Sequence, residues 1–377
     1  MSETAASKER FHFLDGLRGI ASLMIVVHHA FTSNIAKELV HRGLPALGYY
    51  LAFFTQSGVE LFFVLSGVVL LRPYLRGERQ FRPFNYLLRR IKRIWPPYLV
   101  ALMFAACVCW SLYAFPTWYT TKVYHLEFYW PEILKEAYIF NFSGYYYNLA
   151  WWSLSIELLF YLLVPLILLI FPRSHKLSDA RVWALITGTM AVSLTLQYWL
   201  NKYHPSIYSY ERVVPDTYQA VRYPLCFLLG IFLAARDFSL GHARAFIISG
   251  IAVVLISWYW LPLENMGYGL LYAGIIIFAF HKHSVRKILS RPGMLWLGER
   301  SYSLFLVHFS VFYLTDSLAA RFTSSGSMAY AVFSRAVGIP LAFFVAMLLF
   351  TFVEQWQARG LITAKMFWPW QARKLDH

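Results

Sequence analysis

Ten apolar stretches, at about 13–33, 50–71, 94–114, 150–171, 182–200, 222–236, 245–261, 267–281, 302–319 and 336–353, divide the chain. Most approach the ~20 residues that a helix needs to cross a bilayer. Inside hydrocarbon each backbone polar group must find its partner within the protein, which a helix achieves by itself. The pattern therefore predicts an all-α polytopic membrane protein with about ten transmembrane helices. Composition agrees, because 59% of the 377 residues are hydrophobic and only 14% charged, a balance foreign to soluble domains.

The net charge of +15 raises the question of nucleic acid. Where the basic residues lie decides it. If the N-terminus is cytoplasmic, most of the 34 Lys and Arg fall in inner segments, as the positive-inside rule requires of an even number of spans with both termini in the cytoplasm. The charge reads as topology and predicts no nucleic-acid partner. The leading SETAASKER is polar, and no small-residue cleavage pattern follows the first apolar stretch, so that stretch is expected to stay in place. Cys107, Cys109 and Cys226 lie inside spans and read as small apolar residues, with no metal site implied. Without repeats or low-complexity tracts, 1–377 reads as one transmembrane domain with a polar segment 1–11 and a basic, aromatic tail 355–377. The sequence fixes no oligomeric state.

Ionisable groups within the spans carry the chemistry, since each costs about 2.5–3.5 kcal/mol in hydrocarbon on insertion scales and normally faces protein or water. In LDGLRGIASLMIVVHHAF, helical periodicity puts Arg18, Ser22 and His29 on one face and turns His28 away. In WWSLSIELLFY, Glu157 lies roughly 10 Å below the outer end of its span, with Ser153 one turn above. His29 is expected at a matching depth, and a His/carboxylate pair has the parts of an oriented general base. Glu60 in SGVELFFVLSG suits a structural pairing with Arg18, Arg222 or a helix terminus as well as a direct role. His28 and His308 read as struts between helices.

Two connections stand out. The inner loop from Arg72 to Arg93 holds eight Lys or Arg. Its Arg89, Arg90, Lys92 and Arg93 can meet anionic lipid or a ligand with several phosphates. The outer loop from Phe115 to Leu149 is aromatic. Together with Trp151 and Trp152, its Trp118, Tyr119, Tyr145, Tyr146 and Tyr147 form an interfacial belt or, for one or two of them, a surface for stacking a sugar.

As a set these residues resemble the acyltransferase 3 family of membrane acyltransferases. FLDGLRGIASLMIVVHHAF is similar to its opening motif, with Arg18 and His29 as the Arg and the His, and SGVELFFVLSG to its second-helix motif. RRIKRIWPPY resembles the Arg-x-x-Arg motif (Arg90 and Arg93), WWSLSIELLFYLLVP the Trp-Ser-Leu-x-x-Glu motif, and LGERSYSLFLVH the late motif ending in His308. The resemblance implies a multi-pass inner-membrane enzyme with no metal. It takes an acyl group, usually acetyl, from cytoplasmic acyl-CoA and delivers it to a hydroxyl of a surface polysaccharide or lipid-linked glycan. It also implies functional roles for Arg18, His29, Arg90 and Arg93. Many relatives carry a fused extracytoplasmic SGNH-type domain, for which this sequence has no room, so transfer is expected to finish here or on a separate protein.

The two readings join in one expectation. The phosphates of acetyl-CoA meet Arg90 and Arg93, and its pantetheine arm passes Arg18. At the thioester His29 acts as general base, oriented by Glu157, or as the nucleophile of an acyl-histidine intermediate. Ser153, Tyr302 and Arg222 are candidates for the oxyanion or for placing the acceptor. Two alternatives remain: a proton-coupled exporter, which intramembrane His and Glu also suit, and an acyltransferase for a small-molecule acceptor.

Overall fold

The computed structural model describes residues 11–114, 129–138, 147–170, 178–203, 220–323 and 327–358. Every regular element among them is a helix. They form two compact units, one from 11–81 and 152–301, the other from 82–138, 147–151 and 302–358. The segments of the two units alternate along the chain.

The first unit is built around α1 (His12–Val27), α3 (Pro45–Gln56) and α4 (Gly58–Leu75), with α2 (Ser33–His41) leading into α3. Glycines set how closely its helices approach. A Cβ on Gly230 of α9 (Pro224–Ala235) would lie 2.3 Å from the Val64 carbonyl oxygen on α4, and one on Gly67 would lie 2.8 Å from the Gly230 Cα. Backbones that touch in this way gain van der Waals contact, the main attraction between helices where lipid is as apolar as side chains. The same device joins α10 (Leu240–Ile256) to α11 (Glu264–His281) through Gly250, Gly267 and Gly274. The short α12 (His283–Leu289) and α13 (Pro292–Glu299) pack on α1. α7 (Trp152–Ile170) and α8 (Asp179–Tyr203) complete this unit.

The second unit holds α5 (Pro83–Ala114), α6 (Trp130–Ala137), α14 (Ser301–Phe322, from Tyr302 onward) and α15 (Met328–Leu349), which continues through a π turn at Phe350–Glu354 into α16 (Gln355–Ala358). Tyr98 and Trp95 of α5 donate to the carbonyls of Glu136 and Ala137 and so hold the end of α6. Asp316 of α14 takes a fork from Arg335 of α15, 2.7 and 3.3 Å from its two oxygens, and a bond from Ser334.

Among the described residues six helical segments are long and apolar enough to cross a membrane: Pro45–Leu75, Pro83–Ala114, Leu149–Leu169, Leu261–His281, Ser301–Phe322 and Ala329–Glu354. The chain reads as a multi-pass membrane protein. The other four apolar stretches also fall on helices, two of them the shorter α9 and α10. The supposed inner loop from Arg72 to Arg93 is mostly helix, since α4 runs to Leu75 and α5 starts at Pro83. At ~1.5 Å per residue, 32 residues of α5 extend roughly 48 Å, well beyond the ~30 Å of hydrocarbon. Its basic first turns therefore extend the span. The segment 1–10, the tail beyond 358, and Trp118, Tyr119, Tyr145 and Tyr146 lie outside the described residues.

Candidate functional site

The first helix does not run regularly to His29. α1 ends at Val27 and gives way to a π turn, His28–Thr32, a feature frequent at functional sites. A π turn takes more residues per revolution, so the face shared by Arg18 and Ser22 cannot be extended to His29 by counting. The His29 ring stands edge-on to His28, 5.2 Å between centroids, and is half-buried. His28 is a strut to α3: its Nδ1 lies 3.1 Å from the Thr55 hydroxyl. That hydroxyl donates to the Leu51 and Ala52 carbonyls, and so accepts from the imidazole. Ser22 is bonded back to the Gly19 carbonyl at 2.8 Å.

Glu157 is held differently from the expectation. Among the described residues its carboxylate is bonded by the Tyr161 hydroxyl one turn further along α7 and by the Ser66 hydroxyl of α4 at 3.3 Å. Ser66 stands in the SGVELFFVLSG stretch. Its level follows from how α4 lies on α1. A Cβ on Gly58 would sit 2.5 Å from the Ala21 carbonyl oxygen, and the Arg72 guanidinium lies 4.9 Å from the Phe11 ring, so the two helices are antiparallel. Eight residues past Gly58, roughly 12 Å along the axis, Ser66 lies more than a turn past Arg18 toward the Phe11 end. Glu157, bonded to Ser66, therefore lies far short of His29 in depth. The expected His29–Glu157 pair is not the one this carboxylate makes.

A denser polar cluster lies in the same unit, where the sequence offered only part of it. Asn265 Nδ2 donates to Glu60 at 2.5 Å, Arg222 Nε donates to Asn265 Oδ1 at 2.7 Å, and Arg222 Nη2 meets Glu264 at 3.0 Å. Glu60, Glu264 and Asn265 are buried. Glu60 is thus coupled to Arg222 through Asn265, close to the structural pairing expected of it. Arg222, a sequence candidate for the oxyanion, makes this ion pair within the cluster. Glu264 and Asn265 escaped sequence reading; the signal for them was two polar residues opening an apolar helix.

In the second unit Tyr302 donates to the Ile94 carbonyl at 3.0 Å, fastening α14 to α5, and this too is a structural bond in place of an oxyanion donor. His308 is fully buried, its Nδ1 3.1 and 2.9 Å from the carbonyls of Leu304 and Phe305. It bonds its own helix, which refines the strut reading. Tyr147 and Trp151 are buried, their polar tips on the carbonyls of Tyr129 and Leu306, and so cannot stack a sugar. Ser153 is half-buried one turn before Glu157.

A family model described as an acyltransferase domain, that of acyltransferase 3, matches residues 11–354. The chain belongs to the acyltransferase 3 family. Among curated relatives, a Staphylococcus aureus protein named "Putative O-acetyltransferase" is 26% identical over 331 residues, covering 79% of this chain and 50% of its own length. A Komagataeibacter xylinus protein named "Putative membrane-bound transacylase" is 29% identical over 173 residues, 45% of this chain and 40% of its own. The chain spans about half the length of the curated relatives it matches. No solved structure matches it significantly.

In this member of the family the Arg-x-x-Arg motif falls on the first turns of α5, where Arg90 and Arg93, three apart, share a face. Arg93 is exposed; the Arg90 guanidinium lies 5.6 Å from the Tyr86 ring centroid and is half-buried. Two consecutive prolines, Pro96 and Pro97, follow. They deprive the carbonyls of Lys92 and Arg93 of their usual helical donors.

Proposed function

We propose that this protein is an O-acyltransferase of the membrane that moves an acyl group, acetyl in the first instance, from cytoplasmic acyl-CoA to a sugar hydroxyl of a surface polysaccharide or lipid-linked glycan. The observation that carries the reading is the family match over 11–354, together with the S. aureus relative's name as an O-acetyltransferase. An inner-membrane location with both termini cytoplasmic belongs to the same proposal.

The parts are assigned as follows. Arg90 and Arg93 take phosphates of the donor, a task suited to guanidinium forks, and Arg18 binds further along the donor. His29 removes the proton from the acceptor hydroxyl as that oxygen attacks the thioester carbonyl. The C–S bond then breaks, and the proton passes from the imidazolium to the leaving thiolate, giving ester and free CoA. Such a base contributes about 10²–10⁴-fold in rate. Glu157, bonded by Tyr161 and Ser66, supplies negative charge along the donor's path.

Titration of purified protein with acetyl-CoA tests the donor. Wild type should bind, and the double variant Arg90→Ala, Arg93→Ala should lose at least tenfold in affinity. Unchanged binding would remove the arginine pair from the account. Gradient-driven transport of substrate with no acyl donor present would replace the enzyme by an exporter.

A further inference from the structure

At the Phe11 end of the first unit a cavity of about 180 Å³ opens between the ends of α4, α9 and α11, lined by Arg72, Arg236, Asp237, Phe238, Phe280 and His281 among others. It belongs to neither the donor motif on α5 nor the region of His29. Its charge is unequal. Asp237 is neutralised by a bidentate fork from Arg76, at 3.0 and 3.1 Å, and Asp179 pairs with Arg236 at 2.6 Å. The lining itself carries two guanidiniums, Arg72 and Arg236, and one carboxylate, Asp237. Capping of helix ends accounts for Arg76, whose Nε donates to the Ala234 carbonyl at 2.9 Å.

Arg72 is placed otherwise, its head against the rings of Phe11 and Phe280, 4.9 and 5.5 Å from their centroids. Arg236 lies 4.7 Å from the Phe238 ring. Such contacts seat a guanidinium by cation–π attraction, and its N–H fork suits the oxygens of a phosphate. The volume corresponds to about six water molecules at ~30 Å³ each, enough for a phosphate and its nearest carbons and too small for a nucleotide.

We propose that this cavity is a binding site for a phosphate ester, with Arg72 and Arg236 on the phosphoryl oxygens and Phe280 against the carbon side of the ester. A phospholipid headgroup from the adjoining leaflet and a terminal phosphate of the acyl donor share this chemistry. Basic pockets between transmembrane helices on the cytoplasmic side are a known home for the former.

The test uses full-length protein, wild type, Arg72→Gln and His281→Glu, the last an exposed position where a carboxylate opposes the ligand without disturbing the core. Three probes are compared: phosphatidylglycerol against phosphatidylcholine by native mass spectrometry from mixed nanodiscs, CoA by calorimetry, and inorganic phosphate by calorimetry. Both variants should lose at least fivefold in affinity for one ester, with Arg72→Lys retaining more of it than Arg72→Gln. Loss of phosphatidylglycerol with CoA unchanged assigns the headgroup; loss of CoA with Arg90 and Arg93 intact assigns the donor. Equal binding of every probe by all the proteins overturns the site, and binding of inorganic phosphate alone overturns its assignment to an ester.

Discussion

Arg222 is the residue whose surroundings say most about how this chain tolerates charge inside a membrane. Its side chain is 12% exposed, that of its partner Glu264 only 3%, so removing the arginine leaves a buried carboxyl without its counter-charge. Arg222→Met should lower stability in detergent by about 3–5 kcal/mol, measured by denaturant unfolding, and Glu264→Gln added to it should restore part of the loss. The arginine was visible in the sequence and its partners were not, because they stand more than forty residues away and only folding brings them together. His29 was legible through a motif, and its role is tested by substitution: His29→Ala should reduce acyl transfer about 10²–10⁴-fold without a comparable change in stability. Glu157 was legible as a residue, while the Tyr161 and Ser66 hydroxyls that bond it were not, because the second of them comes from another helix.

Helices could be marked from apolar stretches alone, for burial in lipid demands them. Local departures from regular winding could not. The π turn at His28–Thr32 leaves no trace in hydropathy, and it alters which way His29 faces. Contacts between helices were half legible. Gly67 stands in the SGVELFFVLSG motif, but its contact with Gly230 required the fold. Gly230→Leu would push side-chain atoms into the Val64 carbonyl, and overpacking of this kind costs about 1–3 kcal/mol or more; a lowered unfolding midpoint in detergent checks it. Outside the spans, Asp179 at the start of α8 ties Arg236 and His242 to that helix. Hydrogen bonds from Arg236, then His242, hold its carboxyl below the usual carboxylate range. The unfolded chain therefore binds the extra proton more readily, and this contribution is complete above the ordinary carboxylate value of ~3.9 and fades as pH falls through the lowered one. Between about pH 5 and pH 2, Asp179→Asn should flatten the acid limb of the stability profile relative to wild type.

For the whole molecule, the all-helical membrane architecture was legible because a chain this apolar has few other ways to satisfy its backbone. Division into two units was not, as their segments interleave along the sequence and nothing in composition marks the crossings. Basic residues concentrated at one set of helix ends predict cytoplasmic termini. Reporter fusions at both ends should be active only with a cytoplasmic reporter, and a periplasmic signal at either would reverse the proposed orientation. The central claim is that His29 drives transfer of an acyl group onto a surface sugar. Its most direct test is mass spectrometry of cell-surface glycans from a strain lacking the gene, complemented with wild type or with His29→Ala. The account predicts ester-linked acyl groups restored by wild type alone; full restoration by the alanine variant would contradict it.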